Sequence, residues 1–267
     1  RPMWCLPRLP CLPRLSWFSA SVVLALLLVS FGANAQIGVS PRILVVNLDQ
    51  QPRGHSFRLL NMSERDVKVE VSLANWSMDE NNQPIIIAPE PTSLDQWLII
   101  NPLRFEVSAG QSQTVRLAFR PNQELVPGEY RAMLYFTQIL DPDPEQSAPI
   151  RSRFRIGAAI YAQVGTERFA ARARAFRVKY PATDDPGDKA AAGLTGQAIR
   201  LQVDIDNRGN RHVRLSGQWA LWQADAFPGT AETTFNPAWN RPDAELPAGL
   251  LAAGPLATTP VLPDSER

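Results

Sequence analysis

The chain has 267 residues, 45% hydrophobic and 20% charged, with 27 basic against 26 acidic side chains and a formal net charge of +1. So even a balance points to neither nucleic acid nor an anionic membrane as a partner. The two cysteines, Cys5 and Cys11, lie close to the start, and the two histidines, His55 and His212, lie far apart.

Residues 1–35 read as an export signal. Arg1, Arg8 and Arg14 give a positive start without an acid, Ser19 to Leu28 give an apolar run, and Ala33-Asn34-Ala35 is a small-x-small cleavage pattern. The apolar run is shorter than the roughly 20 residues a membrane-spanning helix needs. Cleavage after Ala35 leaves 232 residues without cysteine, and the loss of three arginines takes the charge from +1 to −2. No disulfide, thiol nucleophile or thiolate metal site is then available, so an ordinary hydrophobic core must carry the fold. No later stretch is apolar enough to span a bilayer, so no membrane insertion is expected after cleavage.

From residue 36 to 165 the chain alternates short apolar-polar runs with turn residues, the pattern of an immunoglobulin-like β-sandwich. Ile43 to Leu48 reads as a strand entered through Pro41, and His55 to Leu60 as the next. Val67, Val69, Val71 and Leu73 alternate with Lys68, Glu70 and Ser72, and Trp76 is expected to close the core end. Asp79 to Pro84 is a turn cluster, followed by a strand over Trp97 to Ile100. Val115, Leu117 and Phe119 share one face, as do Tyr130, Ala132, Leu134 and Phe136. Asp141-Pro142-Asp143-Pro144 breaks the chain before a long last strand, Ile150 to Val164.

Residues 166–267 read as a second β-sandwich domain, expected to be incomplete. Ile199 to Ile205 and Val213 to Trp222 both alternate and flank Asn207-Arg208-Gly209-Asn210, which predicts a hairpin. Beyond Phe227 the chain is rich in Pro, Ala and Gly and offers few strand candidates.

Side-chain chemistry points away from an enzyme. Neither histidine has a partner in sequence, and no serine elbow, phosphate loop or metal-spaced cluster is present. Asp141 to Glu145 has acidic spacing, but two prolines and the lack of a glycine make it a solvated loop rather than a calcium site. Asn61-Met62-Ser63 and Asn75-Trp76-Ser77 fit the glycosylation acceptor pattern. No cofactor is expected. What remains is backbone chemistry at strand edges, over Pro41 to Leu48 and Ile150 to Tyr161.

Three segments resemble the periplasmic chaperones of pilus and fimbria assembly. Asn101 to Leu117 (NPLRFEVSAGQSQTVRL) is similar to that family's Pro-rich segment, turn and Val-Arg-Leu strand. Glu129 to Phe136 (EYRAMLYF) resembles its Tyr/Arg-containing strand, and Val39-Ser40-Pro41-Arg42 the first strand bearing its arginine. Together they cover about residues 37–165. The resemblance implies a non-enzymatic periplasmic protein that binds pilus or fimbrial subunits by donor-strand complementation and delivers them to an outer-membrane usher. It implies that Arg42 anchors the subunit's C-terminal carboxylate. The family's second cleft residue, a lysine, falls on Ala158, which makes Arg155 the nearest substitute. Ile150, Phe154, Ile156 and Ile160 form the apolar face of the donor strand, opposite Arg151, Arg153 and Arg155. The resemblance also implies that the final strands of a second, smaller sandwich follow Val261 to Ser265. An exported structural or adhesive sandwich that donates no strand is the alternative.

Overall fold

The computed structural model describes residues 37–50, 54–140, 153–179, 200–230, 233–241 and 243–266. The export-signal reading, the acidic loop at 141–145 and the donor candidate Ile150 lie outside them.

Eleven strands occupy the first part: β1 Ile37–Ser40, β2 Ile43–Asn47, β3 His55–Asn61, β4 Val67–Ala74, β5 Trp76–Met78, β6 Pro84–Ile86, β7 Leu98–Asn101, β8 Arg104–Val107, β9 Ser112–Phe119, β10 Gly128–Ile139 and β11 Arg155–Val164. Nine of them form a sandwich of two sheets, ordered β1-β3-β9-β7 and β2-β11-β10-β4-β8, and β5 and β6 form a separate hairpin. Alternation builds it, because successive side chains in a strand point to opposite faces. Val67, Val69 and Val71 are buried in β4, Val115 and Leu117 in β9, and Ala132, Leu134 and Phe136 in β10. Phe57 from one sheet meets Phe136 from the other edge to face, with ring centroids 6.5 Å apart. Burying a side chain of that size contributes about 1.5–3 kcal/mol.

Strands β1, β5, β6 and β8 go unread in the sequence because each has only three or four residues, too few to display a period. At Ser40-Pro41 the chain leaves one sheet and enters the other, so its first two strands serve opposite layers.

The second part holds β12 Ala171–Lys179, β13 Arg200–Asn207, β14 Val213–Arg214, β15 Gln218–Trp222, β16 Leu250–Pro255, β17 Pro260–Val261 and β18 Ser265–Glu266. They pair as β12-β13-β18, β14-β17 and β15-β16. Two expectations fail here. β13 forms no hairpin with the strands that follow it, and three strands lie beyond Phe227.

Asn207 explains the first failure. Its Nδ2 donates to the carbonyls of Arg211, Val261 and Leu262 at 2.9, 3.0 and 3.2 Å, and its Oδ1 accepts from Gly209 N–H. The turn after β13 is thereby tied to β17 instead of folding back on β13. Gly209 fits there because a Cβ would stand 2.3 Å from the Arg168 carbonyl.

Asn61 repeats the clasp in the first sandwich. Its Nδ2 donates to the carbonyls of Arg65, Val107 and Ser108, and its Oδ1 accepts from Ser63 N–H. Fully buried and with its amide so engaged, Asn61 is no glycosylation acceptor in the folded chain. Asn61→Ala should cost about 2–3 kcal/mol, since it strands buried carbonyls. Urea unfolding of the first sandwich, followed by circular dichroism, reads the loss; a change inside about 0.5 kcal/mol, the scale of an ordinary surface substitution, would rule the clasp out as a structural support.

Candidate functional site: the β11 edge and the adjoining cleft

Strand β11 is covered unequally on its two edges. β10 pairs with it antiparallel over its whole length, but β2 pairs with it, in parallel, only from Ala159 to Gln163. Gln138 N–H donates to the Phe154 carbonyl at 3.1 Å, and Ala159 N–H donates to the Arg42 carbonyl at 3.1 Å. Main-chain groups of even residues therefore face β10, and those of odd residues face the β2 side. The groups of Arg155 and Gly157 point past the end of β2, where no strand among the described residues pairs with them.

Side-chain directions on β11 differ from the sequence expectation. Of the stripe expected to serve a partner, the described members Phe154, Ile156 and Ile160 lie along the inward face. Ile160 is fully buried in the sandwich core beside Ala158 and Ala162, and Phe154 packs against that core. Ile156 is half-buried opposite Phe136. Ile160 thus completes the chain's own core and is not on offer; Ile150 lies outside the described residues.

The outward face carries Arg155, Gly157, Ala159 and Tyr161. The Arg155 guanidinium lies 3.8 Å from the centroid of the Tyr135 ring, a cation–π stack. Gly157 lets the strand run close beneath Met133 and Tyr135, since a Cβ would come within 3.1 Å of each. Further along, Tyr161 joins Trp76, Met78, Met133 and Leu262 in a second apolar cluster. Trp76 sits here, edge-on to Tyr161 at 5.9 Å, and not at the end of the sandwich core as expected.

This cluster is the joint between the two sets of sheets. Tyr161 stacks on His212 with ring centroids 3.9 Å apart. His212 Nδ1 lies 2.5 Å from Glu129 Oε2, and its backbone N–H donates to the same oxygen at 3.1 Å. A carboxylate can only accept, so Nδ1 carries the hydrogen. His212 and Glu129 are both buried, and Glu129 Oε1 has no hydrogen-bond partner. Arg131 Nε donates to the Trp76 carbonyl at 3.2 Å; burial lowers its pKa, and the neighbouring Glu129 carboxylate opposes that shift. Arg214 of β14 donates from Nη1 to the Thr258 carbonyl at 2.7 Å and from Nη2 to the Tyr161 hydroxyl at 3.2 Å. Burial pushes the Tyr161 phenol up to about 12, against the pull of the Arg214 charge.

Beside the joint opens a cleft of about 430 Å³ lined by Arg42, Ile43, Trp76, Tyr161, Arg214 and Thr258, among others. Arg42 is exposed and forms no ion pair with the other described residues. Arg155, the expected second cation, does not line this cleft; it lies four residues along β11 from the residue paired with Ile43, about 13 Å at the rise of a strand. Arg214 and Trp76 do line it; Arg214 does not stand out in the sequence, and Trp76 was expected in the core. Cations, an indole and apolar walls suit an extended chain carrying an anionic group better than they suit bond-making chemistry.

No family model and no curated protein matches the chain. Among solved structures, it is similar to the class 5 fimbriae chaperone CfaA, with a TM-score of 0.48 and 10% identity over 86% of this chain and 84% of that one. It is also similar to a chain of the CsuC–CsuE chaperone–tip adhesion subunit complex of the archaic Csu pili of Acinetobacter baumannii, with a TM-score of 0.44 and 12% identity over 87% and 85%. The Pseudomonas aeruginosa CupB2 chaperone is a third, with a TM-score of 0.43 and 13% identity over 86% and 85%.

Two outcomes follow from the joint. Tyr161 should titrate near pH 12, well after an ordinary tyrosine at about 10. Because folding raises this pKa, its stabilisation is complete below about pH 10 and is lost as pH climbs through 12. Ultraviolet difference titration should show one late tyrosine of the four, absent in Tyr161→Phe; four coincident transitions would contradict the burial. Glu129→Ala leaves buried His212 without its partner and should cost about 3 kcal/mol. Its expected signature is an increased radius of gyration in small-angle scattering together with faster proteolysis between residues 165 and 171. An unchanged radius and unchanged cleavage would mean that this pair does not hold the two parts together.

Proposed function

We propose that this protein is an exported, periplasmic chaperone of pilus or fimbrial subunits. It binds an extended segment of an incomplete β-sandwich subunit along the free edge of β11, holds the segment's C-terminal carboxylate at Arg42, and passes the subunit to an outer-membrane usher. The observation that carries this reading is the short reach of β2. Because β2 begins only opposite Ala159, the main-chain donors and acceptors of Arg155 and Gly157 meet no strand among the described residues, beside a cleft that Arg42 and Gly157 line. An open strand edge is a template for strand addition, and a guanidinium can meet a carboxylate through two parallel hydrogen bonds. The resemblance of Val39 to Arg42, Asn101 to Leu117 and Glu129 to Phe136 to the pilus chaperones supports the same partner class, and the pattern of residues 1–35 supports export. Nothing in the mechanism requires a nucleotide or a metal.

The inward turn of Phe154, Ile156 and Ile160 sets the form that complementation takes. Backbone pairing along the edge carries the affinity. The same inward turn is what favours the second reading, an exported adhesive or structural module that donates no strand.

Four proteins separate these readings in a capture experiment from periplasm, with bound proteins identified by mass spectrometry: wild type, Arg42→Ala, Arg155→Ala and Arg155→Pro. Wild type should recover a pilin-like subunit, and Arg42→Ala should recover at least about tenfold less, the loss of one charge-assisted hydrogen-bond pair. Arg155→Ala should bind nearly normally, whereas Arg155→Pro, which deletes the N–H on the open edge, should not. Equal recovery by all four proteins would eliminate both the edge and the anchor. Equal losses in Arg155→Ala and Arg155→Pro would return the role to the Arg155 side chain.

A further inference from the structure

We infer that Arg214, reaching the cleft from the second set of sheets, is the second anchor for the partner's terminal carboxylate, so that the carboxylate is gripped from both parts of the molecule. The inference rests on the reading above, in which that carboxylate is held at Arg42.

Position is the first support. Arg42 stands at the start of β2 in the first sandwich and Arg214 in β14 of the second part, yet both line the same cleft. Its volume of about 430 Å³ falls in the range that holds a small ligand or the end of a chain.

Charge is the second. Arg214 is half-buried, and its two described hydrogen bonds go to neutral oxygens, the Thr258 carbonyl and the Tyr161 hydroxyl. A guanidinium has five N–H donors, so donors remain after these two bonds. No carboxylate among the described residues forms an ion pair with Arg214, whereas Arg174, Arg177, Arg208 and Arg211 in the same part of the chain are each paired with an aspartate or glutamate. A cation drawn partly out of water without a counterion is an unfavourable arrangement that an incoming anion relieves.

The third support is an orphaned donor. Trp76 lines the cleft, is 2% exposed, and its indole Nε1 has no hydrogen-bond partner. Two guanidinium groups without a described counterion thus line one cleft, and the unsatisfied indole N–H is buried in a residue of its wall. Tyr161 and Thr258 hold Arg214 in place there. Arg155 takes no part, because its guanidinium is stacked on Tyr135 outside the cleft.

The test uses two synthetic peptides of alternating valine and threonine ending in tyrosine, labelled at the N-terminus, one a free acid and the other a C-terminal amide. Fluorescence anisotropy gives the ratio of their affinities for the full chain, and the ratio is the readout. A cleft that is merely loosened weakens both peptides alike, whereas a lost carboxylate anchor weakens only the acid. Wild type should prefer the acid by at least about tenfold, the worth of charge-assisted hydrogen bonds. Arg214→Ala and Arg42→Ala should each bring the ratio within about threefold of unity, and Arg214→Lys, which keeps the charge, should restore part of it. A collapsed ratio in Arg42→Ala beside an unchanged ratio in Arg214→Ala overturns this inference and leaves the reading at Arg42 standing. A ratio near unity in wild type, or no binding of either peptide, overturns both.

Discussion

The parallel pairing of β2 with the second half of β11 is the constraint on which the rest of the site depends. A strand in the interior of a sheet has both edges satisfied and offers nothing to a partner; an edge strand offers its whole length. β11 is neither. From Ala159 to Gln163 it is held on both sides, and that half supplies Ile160 to the core and Tyr161 to the joint. From Arg155 to Ala158 it is held, among the described residues, by β10 alone. The rigid half positions the open half, so the free main-chain groups of Arg155 and Gly157 stand beside the cleft lined by Arg42, whose own carbonyl accepts from Ala159 at the point where the cover ends. Edge and cation are placed by one set of hydrogen bonds.

How much of this was legible in the sequence follows from the range of each interaction. β4 and β9 show themselves through Val67-Val69-Val71 and Val115-Leu117 because one face of each is wet and the other dry. β10 shows itself through Ala132, Leu134 and Phe136, although its other face is covered too, by the cluster around Met133. In β11 the alternation was visible, but its sense was not. Two faces, one apolar and one basic, are equally consistent with an inward apolar stripe or a donated one, and only the burial of Ile160 decides. The strand pairing within the second part was not legible because β14, β17 and β18 have two residues each, and because Asn207, which ties the turn after β13 to β17, has carbonyl partners at Val261 and Leu262 that lie 54 and 55 residues away.

The site shows the same division. Arg42 was singled out through the resemblance carried by Val39-Ser40-Pro41-Arg42, a stretch of adjacent residues, and it lines the cleft. Arg214 was not, because the hydroxyl it bonds belongs to Tyr161, 53 residues earlier in the chain. Glu129 and His212 are 83 residues apart, and their sequence surroundings, an ordinary strand start and an ordinary turn, carry no sign that they will be buried against each other. Trp76 was read as a core plug, a sound default for a large apolar residue, yet it packs in a second cluster with Met133 of β10, Tyr161 of β11 and Leu262 of the second part.

Tyr161 is where the two halves of the problem meet. Its backbone belongs to the covered half of β11, its ring is sandwiched by His212 and edged by Trp76, and its hydroxyl holds Arg214. Because burial keeps the phenol neutral, it can accept from Arg214 without neutralising it, and the guanidinium stays available to an anion. An aspartate in its place would position the arginine as well but cancel its charge, leaving nothing for a partner to recognise. The other arginines of the second part, those paired with Asp204, Asp206 and Glu167, are of that cancelled kind, and they brace the fold. What distinguishes Arg214 is that its described hydrogen bonds go to neutral groups, and that choice of partner turns a structural arginine into one able to bind.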